Sequence, residues 1–403
     1  MGRVLALLGA GASVPLFPST DDLTAALRVD QKWSWPSSPN PDSLFPAKHS
    51  GIACATFFEG LVQFVESFPG HPKVNFEDLI EFVETVADVR QGQDDASYYP
   101  AGWFLRQVYP GKPSTPIGFF EGNRLRTVAQ HARLVILRTI HERARQHAAS
   151  FGSAGLNVFL RQLTRVATVH IASLNYDNLV DGAGVQLDAG FRPPGGEPYH
   201  VFNPGVVASA PWSSTGVLVM PLHGSVHFGL AVHEDGIELV WFEDLEAAHQ
   251  SFASGFQMRA GQRDLQDLYP LMITGRRKVV AAQGPPFSTY LSKLRQSASE
   301  AETWVIAGYG GGDTHINVQL SQVLAWRLRH RQAPRVLVCD QGDAAALSQL
   351  ACRIFTPLPA FVPLSPGPWH ELRMGKRESG SQLGWMWGQG IDAMTRTSWI
   401  TRV

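Results

Sequence analysis

The feature that most constrains this chain is a set of strand-length apolar runs that each stop abruptly at glycine or polar residues. RVLALL (3–8) stops at Gly9-Ala10-Gly11-Ala12-Ser13, and VATVHIA (166–172) stops at Ser173-Leu174-Asn175-Tyr176-Asp177. GVLVM (216–220) ends at Pro221-Leu222-His223-Gly224, and WVIA (304–307) at Gly308-Tyr309-Gly310-Gly311-Gly312-Asp313. RVLV (335–338) ends at Cys339-Asp340. Short, continuously apolar runs suit strands buried on both faces. Helical patterns at about 286–297, 315–330 and 343–351 separate the late runs. Strands alternating with helices predict an α/β fold with a Rossmann-like, mostly parallel sheet. The clusters then fall at the carboxyl edge of that sheet, where ligands bind in open α/β folds.

Between the first and second runs the period changes. From 55 to about 165 the pattern is helical, with Phe57, Leu61, Phe64 and Val65 at helical spacing. NFEDLIEFVETVADV and the stretch from Leu125 to His147 repeat it, so a large helical insertion is expected. A helix through Ala26 is expected after the first glycine turn, capped by Asp21 or Asp22. Residues 30–52 and 92–120 read as loop and irregular connector. Residues 226–232 and 237–242 flank Glu234-Asp235-Gly236 as a hairpin. The organisation that follows is one domain over 1–355 and an extension of unassigned role over 356–403.

Composition narrows the function classes. With 34 Lys+Arg against 35 Asp+Glu there is no bulk basic excess to hold a nucleic-acid backbone. Cys54, Cys339 and Cys352 are scattered without a CxxC pair, which predicts no zinc site or disulfide framework and fits a cytoplasmic setting. Arg3 and the apolar run after it imitate a short signal peptide, but the same run serves as a buried strand. No apolar stretch approaches the ~20 residues of a membrane helix.

Each cluster has a chemical and a plain reading. Gly9-x-Gly11-x-Ser13 after a strand lets backbone approach a phosphate, and equally makes a tight turn. Its GxGxxG pattern is incomplete, since Val14 holds the third glycine's place. Asn175 and Asp177 are poorly suited to a strand interior and so face a cleft or cap a helix. His223 beside a glycine can exchange protons near neutral pH, with His227 as a competitor inside the hairpin strand. The glycines of 308–312 suit a close ligand approach or a flexible turn, and Asp313 suits an N-cap. Asp340 can reach a ribose hydroxyl or sit as a plain surface aspartate.

In order along the chain, GAGAS, NFEDLIEFVE, SLNYDNLVD, PLHGS and GYGGGDTHIN resemble the SIR2-like domain of prokaryotic anti-phage defence proteins, over about residues 3–355. Two departures separate the chain from sirtuin deacylases. The interval 226–300 has no cysteine for their four-cysteine zinc module, and VPLFPSTDDL follows GAGAS without their Pro-Asp-Phe-Arg segment. The resemblance therefore implies NAD as substrate without zinc, and NAD hydrolysis rather than deacylation. It implies that Gly9, Ala10, Gly11 and Ser13 form a phosphate loop. Asn175 and Asp177 address the nicotinamide ribose, and His223 is the catalytic histidine. Gly308, Tyr309 and Asp313 lie beside the adenosine half.

The expected activity is an NAD glycohydrolase that depletes NAD during phage infection. The competing expectations are a non-catalytic NAD- or ADP-ribose-binding subunit, and a nuclease subunit of a SIR2–ATPase complex. About 48 residues follow 355, fewer than the ~50–250 of an independent domain. Control in trans is the expectation, through a homo-oligomer or a partner such as a HerA-like ATPase or a short Argonaute.

Overall fold

A computed structural model describes residues 1–14, 16–29, 58–63, 66, 74–90, 122–194, 199–213, 215–233, 236–254, 265–274, 278, 282–355, 369–374, 381–387, 389 and 394–395. The loop expected over 30–52, the connector over 92–120, Cys54, Phe57, Phe64 and Val65 lie outside them. In chain order the strands are β1 (Gly2–Leu8), β2 (Ala167–Ser173), β3 (Leu187–Asp188), β4 (Phe191–Arg192), β5 (His200–Phe202), β6 (Val217–Pro221) and β7 (Gly224–His233). They continue as β8 (Gly236–Trp241), β9 (Leu265–Met272), β10 (Thr303–Ala307), β11 (Arg335–Cys339), β12 (Trp369–Met374) and β13 (Ser381–Trp387). The helices are α1 (Thr20–Val29), α2 (Phe76–Arg90), α3 (Gly122–His147), α4 (Gly155–Val166), α5 (Pro204–Ser209), α6 (Leu245–Ser254), α7 (Phe287–Glu300), α8 (Thr314–Arg329) and α9 (Ala344–Ile354).

The main sheet runs β12-β13-β11-β10-β1-β2-β6-β3 among the described residues. Every pairing in it is parallel except β12 with β13. The stretch β6-β2-β1-β10-β11-β13 is the doubly wound, Rossmann-like order. The chain winds outward from β1 on one side, then returns to β10 and winds outward on the other. That places the switch point between β1 and β10. The final residues of the strands lie in register, Leu8 beside both Ser173 and Ala307, Ser173 beside Pro221, Ala307 beside Cys339. The loops starting at 9, 174, 222, 308 and 340 therefore leave the sheet side by side.

Strand alternation sorts the core into two layers. Val4, Ala6 and Leu8 of β1 face the helical insertion, packing with Phe76, Leu79 and Ile80 of α2, Ile136 and Ile140 of α3, and Phe159 of α4. Leu5 and Leu7 face the other layer, with Tyr290 and Leu294 of α7, Ile316 and Leu320 of α8, and Ile354 of α9. All five β1 side chains from Val4 to Leu8 are buried, as a central parallel strand requires.

Helices α1 and α2 begin at reciprocal caps. Ser19 Oγ accepts from the Asp22 amide while Asp22 Oδ2 accepts from the Ser19 amide. Asn75 and Asp78 repeat this exchange at the start of α2. Such boxes satisfy two amides that a helix start leaves unpaired. The cap of α1 is therefore Ser19, with Asp22 as its partner, a correction to the Asp21 or Asp22 cap read from sequence.

The hairpin expected around 234–236 is present, with Val232 opposite Ile237. It belongs to a second, antiparallel sheet, β4-β5-β8-β7-β9. Beyond residue 355, where the sequence reading draws a boundary, β13 pairs parallel to β11 and Trp387 is buried in the core. The main sheet thus runs on past that point. Among the described residues no helix is long and apolar enough to cross a membrane.

At the switch point the two glycine loops touch backbone to backbone. The Gly9 amide donates to Ala307 O, the Gly11 amide to Gly308 O and the Gly308 amide to Cys339 O. A Cβ on Gly308 (φ +60°) would overlap the Ala12 backbone nitrogen, whereas one on Gly310 would meet nothing within 4 Å. Gly308→Ala is expected to destabilise the fold by about 3 kcal/mol or more. Gly310→Ala is expected to change stability by less than about 1 kcal/mol. Denaturant unfolding of the two variants measures the difference.

Candidate functional site

The adjacent loop ends enclose a cavity of about 400 Å³ at the switch point. All eleven residues singled out from the sequence line it: Gly9, Ala10, Gly11, Ser13, Asn175, Asp177, His223, Gly308, Tyr309, Asp313 and Asp340. Its volume falls within the ~300–1,000 Å³ of small-molecule sites. The α2 face contributes Phe76 and Glu77, and Lys278 enters from the segment after β9.

Ser13, buried at the end of the first loop, orders two of the candidate residues. Its Oγ accepts from Asn175 Nδ2 at 2.9 Å and its hydroxyl bonds the Asp177 carboxylate. This fixes the Asn175 amide and leaves Asn175 Oδ1 buried without a partner. An unpaired buried carbonyl costs about 1–3 kcal/mol, so it is a group waiting for a donor. Asp177 Oδ1 also accepts from the Leu179 amide at 3.0 Å. Burial nevertheless pushes the Asp177 carboxyl up to about 6, against the lowering effect of those hydrogen bonds.

His223 ends the β6 segment and is 2% exposed. Its Nε2 lies 3.3 Å from Asp313 Oδ1, within ion-pair reach though not aligned as a full hydrogen bond. Lys278 Nζ lies 3.0 Å from the same Asp313 oxygen and 2.9 Å from Glu77 Oε2. Tyr176 completes the chain, its hydroxyl 3.0 Å from Glu77 Oε1 and 2.8 Å from Ile273 O. Burial alone would raise the Asp313 carboxyl, but contact with His223 and Lys278 outweighs it and holds the carboxyl well below the usual range. Burial likewise opposes the charge on Lys278, and the two carboxylates overcome it, leaving its ammonium raised. The neighbouring His315 is pushed down to about 4, chiefly by burial.

Two expectations change in detail. Asp313 occupies the N-cap position of α8 without a side-chain capping bond, because its carboxylate turns to His223 and Lys278. Tyr309 is 3% exposed, and its hydroxyl bonds Asn317 Oδ1 at 2.8 Å and the Asp313 amide at 3.1 Å. It holds the shape of the Gly310–Asp313 turn. The amides of Gly9, Gly11, Ala12 and Ser13 are engaged inside the loop pair. The openest backbone against the cavity is instead at Gly310 and Gly312. Asp340, at the end of β11, binds the Gln341 amide at 2.8 Å, and burial raises its carboxyl.

Sequence reasoning missed Glu77 and Lys278. Glu77 sits two residues after the Asn75 cap, in the first turn of α2, so the capping signal locates it. No local pattern marks Lys278. Among the described residues, no group of three or more His, Cys, Asp or Glu is arranged to hold a metal ion.

No family model matches the chain. No curated protein matches it. Among solved structures, it is similar to one described as the structural basis of sirtuin substrate affinity, with a TM-score of 0.32 and 11% identity over 85% of this chain and 83% of that one. It is also similar to a Sir2 variant with a deacetylated p53 peptide and 3′-O-acetyl ADP-ribose, with a TM-score of 0.33 and 12% identity over 85% and 82%. A third, described as the structural basis for the mechanism and regulation of Sir2 enzymes, has a TM-score of 0.29 and 11% identity over 70% and 90%. The strand order, rather than scores this low, defines the fold.

Two stability outcomes follow from the charges. Lys278→Met leaves two partly buried carboxylates without their shared cation and is expected to cost about 1–3 kcal/mol, with Glu77→Gln recovering part of the loss in a double-mutant cycle. Asp177 binds a proton more tightly folded than unfolded, so its contribution to stability falls as pH rises from about 4 through 6. Asp177→Asn is therefore expected to melt about 2–5 °C above wild type at pH 8 and level with it at pH 4.

Proposed function

We propose that the chain hydrolyses NAD at the nicotinamide–ribose bond, releasing nicotinamide and ADP-ribose. The observation that carries this reading is the gathering of Asn175, Asp177 and His223 in one switch-point cavity, with Asp313 against the histidine. Four carboxylates (Glu77, Asp177, Asp313 and Asp340) line the cavity beside one ammonium, Lys278. That balance favours a cationic pyridinium and the positive charge that develops on the ribose as the bond breaks. Backbone at Gly310 and Gly312 offers the closest approach for the pyrophosphate.

Nicotinamide departs neutral with the electron pair of the broken bond, so it needs no acid. The unpaired Asn175 Oδ1 accepts a hydrogen bond from the attacking water or a ribose hydroxyl. Asp177, when ionised, stabilises the oxocarbenium-like ribose. His223 takes the proton of the water as the C1′–O bond forms, and Asp313 holds the resulting imidazolium. The role we assign in the cell is NAD depletion in anti-phage defence, in the cytoplasm. The helical insertion over 55–165 is the surface we assign to activation by self-assembly or by a HerA-like ATPase or short Argonaute partner.

Purified protein, alone and with partner, is expected to release nicotinamide from NAD. Asn175→Ala and His223→Ala are each expected to lose at least about 10²-fold in rate while still folding. Cleavage by wild type is expected to decline as pH falls below about 6, where Asp177 takes up its proton. Full activity in both variants would refute the site, and no nicotinamide release under activating conditions would refute the reaction.

A further inference from the structure

A second cavity, of about 370 Å³, shares Asn175 and Asp177 with the first and opens between β2, β6 and the antiparallel sheet. Its chemistry is unlike a phosphate site. Asp177, Asp181 and Glu243 line it. Arg192, the one guanidinium on its wall among the described residues, is engaged by both oxygens of Asp188 at 3.0 and 2.7 Å. His200 faces Glu243 at 3.6 Å.

Two of its buried acceptors are unpaired. Asn175 is 6% exposed and its Oδ1 has no partner, the Ser13 contact having fixed the other end of the amide. The Oδ1 of Asn178, on the same wall, is also buried and unpaired. One side presents a flat aromatic pair, His227 stacked on Trp241 with ring centres 4.6 Å apart and planes 6° off parallel. Both His227 nitrogens face acceptors, Nδ1 to Phe242 O at 2.7 Å and Nε2 to Asp181 Oδ2 at 3.2 Å. A stack between carboxylates and orphan carbonyls suits a planar cation with several N–H donors, which satisfies acceptors in one plane and lies against a ring face.

We propose that this cavity is a second binding site, for a small organic cation bearing an amidinium or guanidinium group. Asp181 and Glu243 supply the counter-charge, Trp241 and His227 the flat face, and Asn175 and Asn178 the acceptors. Asn175 is shared with the cleavage site proposed above, whereas Asp181, Glu243, His227 and Trp241 line this cavity and not the first.

Calorimetric titration of the full chain with benzamidine, and with benzamide as its uncharged counterpart of equal size, tests this. Benzamidine is expected to bind at least tenfold more tightly than benzamide. Asp181→Asn and Glu243→Gln are each expected to weaken benzamidine at least threefold and the pair together at least tenfold, with melting curves confirming that the variants fold. Glu302→Gln, an exposed position that lines neither cavity, is expected to leave benzamidine affinity within twofold. Equal affinity for both probes, no binding, an unchanged affinity in the double variant, or a comparable loss in Glu302→Gln would each overturn the proposal.

Discussion

The backbone contact between the loops that follow β1 and β10 is the constraint on which the rest depends. Gly9 and Gly11 donate to Ala307 O and Gly308 O, and Gly308 donates onward to Cys339 O. Three loops are thereby tied into one floor at the point where the sheet changes winding direction. A side chain on Gly9 would come within 2.5 Å of Gly308 O, so the contact exists only without Cβ atoms. With the strand ends in register, this floor also fixes how far the 174 and 222 loops stand from it, and hence where Asn175, Asp177 and His223 sit.

On that floor the polar groups support one another in two chains. One runs from Ser13 to Asn175 and Asp177, entirely through short side chains and a hydroxyl. The other runs from His223 through Asp313 and Lys278 to Glu77 and Tyr176, and crosses from the sheet to the helical layer. Charges in a low-dielectric cavity persist only when paired. The second chain meets that requirement with the helix that the Asn75–Asp78 box starts, so a capping motif in the insertion bears directly on the chemistry at the sheet edge.

The main sheet was legible because buried parallel strands are continuous apolar runs, and their endings marked the ligand edge. The eleven candidate positions could be read for the same reason, since each lies within a few residues of a strand end. What the alternation rule does not reach is pairing over long separations. The two-residue β3 and β4 have no periodicity to detect, β9 carries Pro270, and the β12–β13 pair follows a stretch rich in proline. Lys278 was invisible because only the fold brings it to Glu77 and Asp313. The caps were partly legible: Ser19 and Asp22 form an S-x-x-D box, but the serine rather than the aspartate occupies the cap. Asp313 stands at a cap position while its side chain serves the site, a local rule overridden by a nearby charge.

The tail strands have a bearing on solubility. β13 covers the open hydrogen-bonding edge of β11, whose RVLVC sequence is short and carries a single charge, and Asp340 donates its amide to Trp387 O at the end of that pairing. Without β13 that edge would present unpaired N–H and C=O groups beside an apolar face, a template for another chain's strand. β12 then runs antiparallel outside it. The strand whose end anchors the cavity floor is thus an interior strand of the sheet rather than its rim.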